Sequence, residues 1–371
     1  MNVLNSFKRN PIKRIVVKFD RFNQNIFIGN NLEDLLIRDI KLKNYSIVFP
    51  IVDKNVSIIY KEKLRRIFDE LQINNVIEIS PVESSKSIGK IIALLETLYD
   101  SGLNRKSCIL GIGGGITGDL AGFISSIYMR GIDYVYYPTT TMSQCDSVIG
   151  KVGVGHKVIK NLLGSFYSPS LTYCDISFIK SQNEDAVRIG LSEAIKSALV
   201  ASHDFTHYLE NLGRFEDENI DNLPWINIIY ESLRIKRDLV EKDQYDILGF
   251  QKGLSYGHTI ANALEATSLF HIHHGEAITL GMRISGEISM NLGILSKNDL
   301  ERQNNLFDSF RLIKEIPFKI DLDKIIQLLK QDKLSLTGTV DLIILEKIGK
   351  FRIQRDISEP IVRQAFEKYS S

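Results

Sequence analysis

The amino-acid sequence predicts an α/β fold with two domains: an N-terminal Rossmann-like domain built on a parallel β-sheet, and a mostly helical C-terminal domain. Up to about residue 180, short segments rich in β-branched residues alternate with segments whose apolar residues recur at helical spacing, the pattern of βαβ units. Beyond that point the strand signal fades and long helical periodicities follow. We therefore expect domains at residues 1–180 and 181–371, with ligands bound in the cleft between them.

The predicted strands and helices follow in chain order. The strands of the first domain are RIVVKF, YSIVFPIVD, NVIEIS, CILGIGGG and YVYYPTT. The helices between them are SIIYKEKLRRIFDELQ and SIGKIIALLETLYDSG. The helices of the second domain are RIGLSEAIKSALV, INIIYESLRIKRDLVEK and GEAITLGMRISGEISMNLG. One later strand is predicted, in TVDLIILEKIG.

Composition limits the class of protein. The 371 residues include 46 lysines and arginines against 45 aspartates and glutamates, which indicates no general affinity for nucleic acid or anionic membranes. No apolar run approaches the roughly 20 residues of a membrane span. Three cysteines without metal-ligand spacing, in a chain with no secretory signal pattern, indicate reduced thiols. We expect a cytoplasmic protein.

A glycine cluster is the first candidate binding motif. GIGGGITGDLAGF, residues 111–123, has the pattern of a strand, a glycine turn and a helix. Glycines let a phosphate approach the backbone, and a helix N-terminus supplies N–H donors for it. The GxGxxG spacing of the Rossmann fingerprint is missing, so a plain strand-to-helix turn is the alternative. Asp53, at the end of an earlier strand, can accept hydrogen bonds from a ribose or cap a helix.

Residues 128–169 are dense in polar groups between apolar and small residues. The candidate ligands of a sugar or a phosphate in this segment are Arg130, Asp146, Lys151, Lys160 and Asn161. Lone lysines usually lie on solvated surfaces. Lys151 stands among small residues, which favours a functional role for it.

Two histidines and a glutamate form a candidate metal site. Glu193 and Lys196, in LSEAIKS, lie three residues apart on one face of a helix whose surroundings are apolar, where a carboxylate needs a charged partner such as a metal ion. His258 and His274 each lie near the start of a predicted helix. A surface ion pair and two core histidines are the alternative. Together, Glu193, His258 and His274 would form the two-histidine, one-carboxylate set of a catalytic zinc site.

From about residue 50 to residue 350, the order and spacing of several segments resemble the 3-dehydroquinate synthase superfamily of sugar-phosphate cyclases. These segments are GGGITGDLAGF, YMRG, PTT, QCDS, GKVGV, KNLLGSFYSP, GLSEAIK, GHT and HGEA. The resemblance implies an NAD-binding α/β domain and a helical domain that binds metal and substrate, in a homodimer. It also implies a reaction in which NAD transiently oxidises a hydroxyl of a sugar phosphate, phosphate leaves by β-elimination, and an aldol step closes a carbocycle.

The resemblance also implies site residues. The implied ligands of a zinc or cobalt ion are Glu193, His258 and His274. The implied NAD-binding positions are Asp53, Glu83, Lys86, Gly115, Gly118, Asp119, Thr139, Thr140, Lys160, Phe178 and Ser181. The implied catalytic and substrate-binding residues are Arg130, Asp146, Lys151, Asn161, Lys196 and Lys236. His271 and His273, in the same HIHH segment as His274, have no implied role.

Four substitutions distinguish the chain from the synthase pattern. They are Gln251 for an arginine that binds the substrate carboxylate, Ser255 for an asparagine, Asn262 for a phosphate-contacting histidine, and Leu334 for a lysine. A neutral amide cannot copy the paired charge-assisted bonds between guanidinium and carboxylate. A 3-dehydroquinate synthase-type cyclase is the leading hypothesis, with Lys252 able to take over the carboxylate if a one-residue insertion shifts the register. The alternative is a cyclase whose substrate lacks a carboxylate, as in 2-deoxy-scyllo-inosose synthases.

Two other classes of protein fit parts of the pattern. A metal- and NAD-dependent polyol dehydrogenase would share the two-domain architecture. Plain hydride transfer needs no phosphate-elimination site, however, and the retained Lys151, Asn161, Lys196 and Lys236 favour a cyclase. A protein that only binds a sugar phosphate is the third hypothesis, and the intact metal and NAD positions argue against it.

Overall fold

The computed structural model describes residues 12–20, 22–156, 159–212, 223–268, 271–332, 334–335 and 338–370. The chain divides into two compact units. The first unit comprises Met1–Gln182 and Pro224–Tyr230, and the second comprises Asn183–Leu223 and Glu231–Ser371. The first is an α/β unit and the second is mostly helical, so the predicted fold class is confirmed.

The first unit is built on one large sheet. Its described strands are β1 (Lys13–Lys18), β2 (Asn23–Gly29), β3 (Val48–Asp53), β4 (Ile77–Ile79), β5 (Cys108–Gly113), β6 (Asp133–Pro138), β7 (Lys151–His156), β8 (Ile159–Phe166) and β9 (Leu171–Asp175). Seven of them form a sheet in the order β1-β2-β9-β6-β5-β3-β4. The β1–β2 pair is antiparallel and the other neighbouring pairs are parallel. β7 and β8 form a separate antiparallel ribbon.

The strand order reverses between β3 and β5. From β3 the chain crosses to β4 at one edge, returns to β5 on the other side of β3, and continues outward to β6. In open α/β sheets, ligands bind beyond the carboxyl ends of the strands at such a reversal. The residues that follow β3, β5 and β6 are therefore where a ligand of this unit is expected.

Helices cover the sheet. Those described in the first unit are α1 (Glu33–Lys43), α2 (Lys54–Ile59), α3 (Lys61–Glu70), α4 (Ile88–Asp100) and α5 (Gly115–Ile127). The predicted helix SIIYKEKLRRIFDELQ is divided at Tyr60 into α2 and α3. α1 and α3 bury Leu36, Leu64 and Ile67 in one cluster with strand residues such as Ile112. Each buried aliphatic side chain of this kind stabilises the fold by about 1.5–3 kcal/mol.

The second unit packs helices around one central helix. Its described helices are α6 (Glu184–Ala201), α7 (His203–Leu212), α8 (Trp225–Lys242), α9 (His258–Thr267), α10 (His274–Asn291), α11 (Lys297–Ser309), α12 (Leu322–Lys330) and α13 (Glu359–Glu367). The first residues of α8 group with the first unit. α10 packs against α6, α9, α11 and α13, and its residues 277–289 are all buried. No described helix combines the length and apolar character needed to cross a membrane.

The strand predictions are confirmed in part. The five predicted strands of the first domain are present as β1, β3, β4, β5 and β6. TVDLIILEKIG contains β10 (Leu342–Lys347), which pairs with β11 (Lys350–Gln354) in an antiparallel hairpin. Strands β2, β7, β8, β9 and β11 were not predicted, so the sheet is wider than expected and has an antiparallel edge.

Candidate active site

Three side chains that could hold a metal ion converge in the second unit. Glu193 lies on α6, and His258 and His274 are the first residues of α9 and α10. Their ligand atoms all lie within 4.8 Å of one another, and the ring centroids of the two histidines are 5.6 Å apart. Two imidazoles and one carboxylate are a donor set of catalytic zinc sites, in which a fourth position stays open for substrate. The structure therefore brings together the three residues predicted as metal ligands.

Close packing of helices positions these ligands. A Cβ atom at Gly275 would lie 2.5 Å from the carbonyl oxygen of Ile189, so only glycine lets the first turn of α10 approach α6 this closely. A Cβ atom at Gly281 would lie 2.1 Å from the carbonyl oxygen of Gly257, the residue before α9. The first contact holds the start of α10 beside α6, and the second holds Gly281, further along α10, against the residue before α9. His274 consequently lies next to the other two candidate ligands.

A hydrogen bond on the second ring nitrogen orients each histidine. Nδ1 of His258 lies 3.3 Å from the carbonyl oxygen of Tyr256, and Nδ1 of His274 lies 3.1 Å from Oε1 of Glu265. Because these oxygens accept a hydrogen bond from Nδ1–H, Nε2 of each neutral ring has its lone pair available for a metal ion. Glu265, on α9, is only 2% exposed and is absent from the predicted site. Its signal in the sequence is a lone carboxylate within the apolar segment ANALEAT.

The two other histidines of the HIHH segment lie outside the metal-ligand cluster. His271 and His273 are both exposed. His273 and Glu276 form a capping box, in which the backbone N–H of His273 donates to Oε2 of Glu276 at 3.1 Å. This box starts α10 at His274, so His273 has a structural role.

Glu193 has a buried cationic partner in its own helix. Its Oε2 forms an ion pair with Nζ of Lys196, and Oε1 lies 3.9 Å from Nε2 of His258. The side chains of Glu193 and Lys196 are 3% and 1% exposed, so both charges are withdrawn from water. A buried carboxylate needs a compensating cation. Lys196 compensates one oxygen, while the other faces the histidines. The predicted substrate residue Lys236 lies on α8 and is half-buried.

In the first unit, predicted NAD-binding residues lie where the strand order reverses. Oδ1 of Asp53, at the end of β3, accepts hydrogen bonds from the N–H groups of Asn55 (2.8 Å) and Val56 (3.4 Å) and caps α2. Burial raises the pKa of Asp53, and these two hydrogen bonds partly offset the rise. After β6, the N–H of Thr139 donates to the carbonyl oxygen of Gly113 at the end of β5 (3.0 Å). Asp53, the glycine turn and Thr139 thus follow three neighbouring strands.

Lys86 links the N-terminal part of α5 to the short 3₁₀ turn Glu83–Ser85. Its Nζ lies 2.6 Å from Oδ2 of Asp119 and 3.7 Å from Oε1 of Glu83. Oδ1 of Asp119 accepts a hydrogen bond from the N–H of Gly153 in β7 (3.1 Å). Burial raises the pKa of Asp119, and the ammonium of Lys86 opposes the rise. The predicted residues Glu83, Lys86 and Asp119 therefore form one connected group beside the glycine turn.

Arg130 lies in a segment with an unusual backbone. Met129, Arg130 and Gly131 have φ angles of 51°, 66° and 115°, all in the region that favours glycine. Left-handed conformations of non-glycine residues cost about 1–3 kcal/mol each and concentrate at functional sites. The exposed guanidinium of Arg130 is therefore presented by a strained turn directly after α5.

The other predicted substrate residues of the first unit have varied environments. Asp146 is half-buried in a π-helical turn, Ser143–Ser147. Lys151 is exposed at the start of β7, with its Nζ 5.6 Å from the ring centroid of Phe166. Lys160 and Asn161 belong to β8, but their side chains lie outside the described part of the chain.

Phe178 and Ser181 follow the last strand of the sheet. Phe178 is fully buried and packs edge to face on Tyr60 and Tyr137, with ring centroids 4.7 and 4.8 Å away. Its side chain belongs to the core, so only its backbone can contact a cofactor. The exposed Ser181 donates from its hydroxyl to the carbonyl oxygen of Phe178 (2.9 Å). Thr140, half-buried after β6, shares a 2.9 Å hydrogen bond with the hydroxyl of Ser143.

Two family models match adjacent parts of the chain. Residues 76–189 match the 3-dehydroquinate synthase N-terminal model, and residues 190–335 match the C-terminal model. The chain belongs to the 3-dehydroquinate synthase family. The resemblance stated from its motifs is thereby confirmed.

A curated relative agrees with this placement, and solved structures share the fold. A protein of Clostridium tetani named 3-dehydroquinate synthase is 32% identical, covering 99% of this chain and 98% of its own length. A crystal structure of 2-deoxy-scyllo-inosose synthase with carbaglucose-6-phosphate, NAD+ and Co2+ has a TM-score of 0.86 at 24% identity, covering 96% of this chain and all of that one. A 2-epi-5-epi-valiolone synthase from Streptomyces hygroscopicus with NAD+ and Zn2+ has a TM-score of 0.84 at 21% identity, covering 96% and 99%. At these identities the two structures establish the shared fold.

Gln251, which is predicted to stand in place of a carboxylate-binding arginine of the family pattern, has a buried side chain. It is 5% exposed, and its Nε2 donates to the carbonyl oxygen of Asp243. Burial acts against ionisation of Asp243, but four backbone hydrogen bonds to its carboxylate prevail and lower its pKa. The donors of these bonds are the N–H groups of Ile247, Leu248, Gly249 and Phe250, at 2.7–3.1 Å. The Gln251 amide and the Asp243 carboxylate therefore hold residues 243–251 together.

Lys252 and the other three residues predicted to differ from the family pattern have different exposures. Lys252 is 36% exposed, with its Nζ 3.9 Å from Oδ2 of Asp246. Ser255 is half-buried, Asn262 is exposed and Leu334 is buried. Asp246 is therefore already close to the lysine that could replace the arginine of the family pattern.

Proposed function

We propose that the protein is an NAD- and divalent-metal-dependent sugar-phosphate cyclase of the 3-dehydroquinate synthase type, which eliminates phosphate and closes a carbocycle. The observation that carries this proposal is the convergence of Glu193, His258 and His274. In each histidine, a hydrogen bond at Nδ1 leaves Nε2 for a metal ion. The relative from Clostridium tetani is named for this activity, and the two structural neighbours contain NAD+ with Co2+ or Zn2+. Such an activity belongs to aromatic amino-acid biosynthesis, in the shikimate pathway.

The donor set fits zinc or cobalt, because imidazole and carboxylate are ligands suited to both. When bound, the metal supplies Lewis-acid polarisation of a substrate oxygen, and NAD supplies reversible oxidation of a hydroxyl. Glu193, His258 and His274 hold the ion, and Glu265 holds the ring of His274. The turn before α5 offers N–H groups to the phosphates of NAD.

In this proposal, basic and polar side chains bind the substrate and stabilise the charge that develops during the reaction. Arg130, Lys151 and Lys236 supply positive charge for the phosphate and for the negative charge that develops as it leaves. Asp146 holds a hydroxyl or an ordered water for proton transfer. Asn161 and Lys196 complete the substrate-binding set, and Lys160 contributes to NAD binding. We also propose that the protein is a homodimer, which sedimentation of the purified protein tests, and that it is cytoplasmic, which fractionation of the source cells tests.

One assay separates the cyclase from a polyol dehydrogenase. The protein is incubated with NAD, zinc or cobalt, and a panel of sugar phosphates that includes 3-deoxy-D-arabino-heptulosonate 7-phosphate and glucose 6-phosphate. We expect release of inorganic phosphate over many turnovers per NAD without accumulation of NADH, because a cyclase returns its hydride in every cycle. Stoichiometric NADH without phosphate release would instead identify a dehydrogenase. The chelated protein is the control.

A second candidate function is a cyclase whose substrate has no carboxylate. The observation that favours it is the buried Gln251, whose amide is engaged with the Asp243 carbonyl oxygen and carries no charge for a carboxylate. Lys252 can still supply that charge if substrate draws it away from Asp246. The two substrates of the panel distinguish these outcomes.

Replacing Gln251 by arginine tests the carboxylate directly. A charge-assisted hydrogen bond is worth about 1.5–3 kcal/mol, so Gln251→Arg is expected to raise kcat/KM for the heptulosonate by about tenfold or more. Gln251→Leu is the matched control, since it removes the bond to Asp243 without adding charge. Efficient use of the heptulosonate by the parent, no gain from Gln251→Arg and a large loss in Lys252→Ala would assign carboxylate binding to Lys252.

A further inference from the structure

Two buried tyrosines of β6 contact the glycine cluster formed by the turn before α5 and the start of α5. Tyr134 and Tyr136 alternate onto the same face of the sheet and are 2% and 1% exposed. The hydroxyl of Tyr136 lies 3.0 Å from the carbonyl oxygen of Gly114 and 3.2 Å from that of Gly113. The hydroxyl of Tyr134 donates to the carbonyl oxygen of Gly118, one turn further along (3.0 Å). Both hydroxyls thus bond to the backbone of the glycine cluster.

The Tyr136 hydroxyl adds one donor proton, shared between two carbonyl oxygens, to the backbone bonds that fix two peptide groups. The N–H of Thr139 already donates to the Gly113 oxygen and the N–H of Gly118 to the Gly114 oxygen, both at 3.0 Å. A trans peptide group points its C=O and its N–H in opposite directions. Holding the carbonyl oxygens of Gly113 and Gly114 toward Tyr136 therefore turns the N–H groups of Gly114 and Gly115 away from it. Gly115 is the first residue of α5, and the first N–H groups of a helix have no acceptor within the helix. These are the donors that a phosphate at this turn would use.

The ring of Tyr136 also packs tightly against the helix. A Cβ atom at Gly118 would lie 2.5 Å from both Cζ and the hydroxyl oxygen of Tyr136. Glycine at this position therefore makes room for the tyrosine. Close by, the side-chain oxygen of Thr139 is buried and, among the described residues, has no hydrogen-bond partner, although the N–H of Thr139 donates to Gly113. A buried hydroxyl without a partner next to the turn points to a ligand group there.

We infer that Tyr136 is a positioning residue for the dinucleotide: together with the backbone bonds of the turn, its hydroxyl holds the N–H groups of Gly114 and Gly115 toward the pyrophosphate. This inference rests on the proposed NAD-dependent function. It assigns Tyr136 no contact with the reacting atoms.

Tyr136→Phe tests the inference, because it removes the hydroxyl and keeps the ring against Gly118. The dissociation constants of NAD, ADP and adenosine are measured by calorimetry on the zinc-loaded full chain. We expect NAD and ADP, which carry a pyrophosphate, to bind about five- to tenfold more weakly, the effect of one hydrogen bond of roughly 1 kcal/mol. Adenosine binding and zinc affinity are expected to stay at the parent value.

Tyr173→Phe is the matched control. Tyr173 is a fully buried tyrosine of β9 in the same sheet, and its hydroxyl donates to Oδ2 of Asp39 on α1 at 3.0 Å. We expect it to lose thermal stability while keeping the parent affinity for NAD and ADP. Gly118→Ala is a second way to disturb the bond between the Tyr136 hydroxyl and the glycine turn, because the added methyl group crowds that hydroxyl. It should weaken ADP binding by at least as much as Tyr136→Phe.

The inference is overturned if Tyr136→Phe binds ADP as tightly as the parent, or if Tyr173→Phe weakens ADP binding to the same extent. A uniform loss across NAD, ADP and adenosine would also overturn it, since it would reflect a general loosening of the unit. Failure of the parent itself to bind NAD would remove the proposed function together with the inference, and this outcome is visible before any variant is made.

Discussion

Alanine in place of Glu193, His258 or His274 is expected to lower zinc- or cobalt-dependent kcat by about a thousandfold or more, since a catalytic metal supplies several kcal/mol of charge stabilisation. Each substitution removes one of three ligands whose donor atoms lie within 4.8 Å of one another. Metal retained after dialysis, measured by elemental analysis, should fall in parallel with activity.

The variants are expected to stay folded. The core cluster of the first unit, which includes Leu36, Leu64 and Ile112, lies in a different unit from the three ligands. Most of α10 is buried independently of an ion. Far-ultraviolet circular dichroism should therefore match the parent, and loss of the folded spectrum would reveal a structural metal instead.

Two further variants should affect metal binding less than the ligand substitutions: Glu265→Gln moderately and His271→Ala not at all. Glu265 holds Nδ1 of His274, and loss of such a second-layer carboxylate typically weakens metal binding by about 10–100-fold. His271 is exposed outside the cluster, so His271→Ala should behave like the parent. Full activity in His274→Ala together with loss in His273→Ala would show that the wrong histidine was chosen as the ligand.

The metal triad could be predicted from the sequence because each of its members breaks a local expectation. Glu193 is a carboxylate in an apolar helix, and both histidines stand near helix starts. Glu265 follows the same rule yet was missed, because its role depends on where α9 ends relative to the start of α10. That distance depends on how α9 and α10 pack, including the close contact between Gly281 and Gly257 at the other end of α9, and no periodicity in the sequence reveals this packing.

Strands β9 and β2 could not be predicted from local sequence, for physical reasons. β9 (LTYCD) has five residues, too few for a distinct pattern, and it is identified as a strand mainly by its place between β2 and β6. β2 begins with NQN, which local propensity disfavours, and it is stabilised by pairing with β1 and β9. The role inferred for Tyr136 could not be predicted from the sequence either. Its sequence neighbours indicate a buried strand, but only the fold brings its hydroxyl to the glycine turn.

Lys196→Met is expected to destabilise the metal-free protein and to lower activity by about a hundredfold or more, the contribution of a positioned charged group in catalysis. Without the ammonium, the carboxylate of Glu193 stays buried without its cationic partner, and breaking such a pair costs about 3–5 kcal/mol. A divalent ion at the triad would compensate the same carboxylate. The rise in melting temperature on adding zinc should therefore be larger in Lys196→Met than in the parent.

Lys368→Met is the matched control for this prediction. Lys368 forms a 2.7 Å ion pair with Glu287, an 8% exposed carboxylate of α10 that is not a member of the metal-ligand cluster. Its loss should lower the melting temperature by the same amount with and without zinc, because the ion cannot compensate Glu287. An equal zinc-induced shift in Lys196→Met and the parent would contradict the prediction. It would mean that Lys196 and the metal ion do not share the charge of Glu193, and that Lys196 serves the substrate alone.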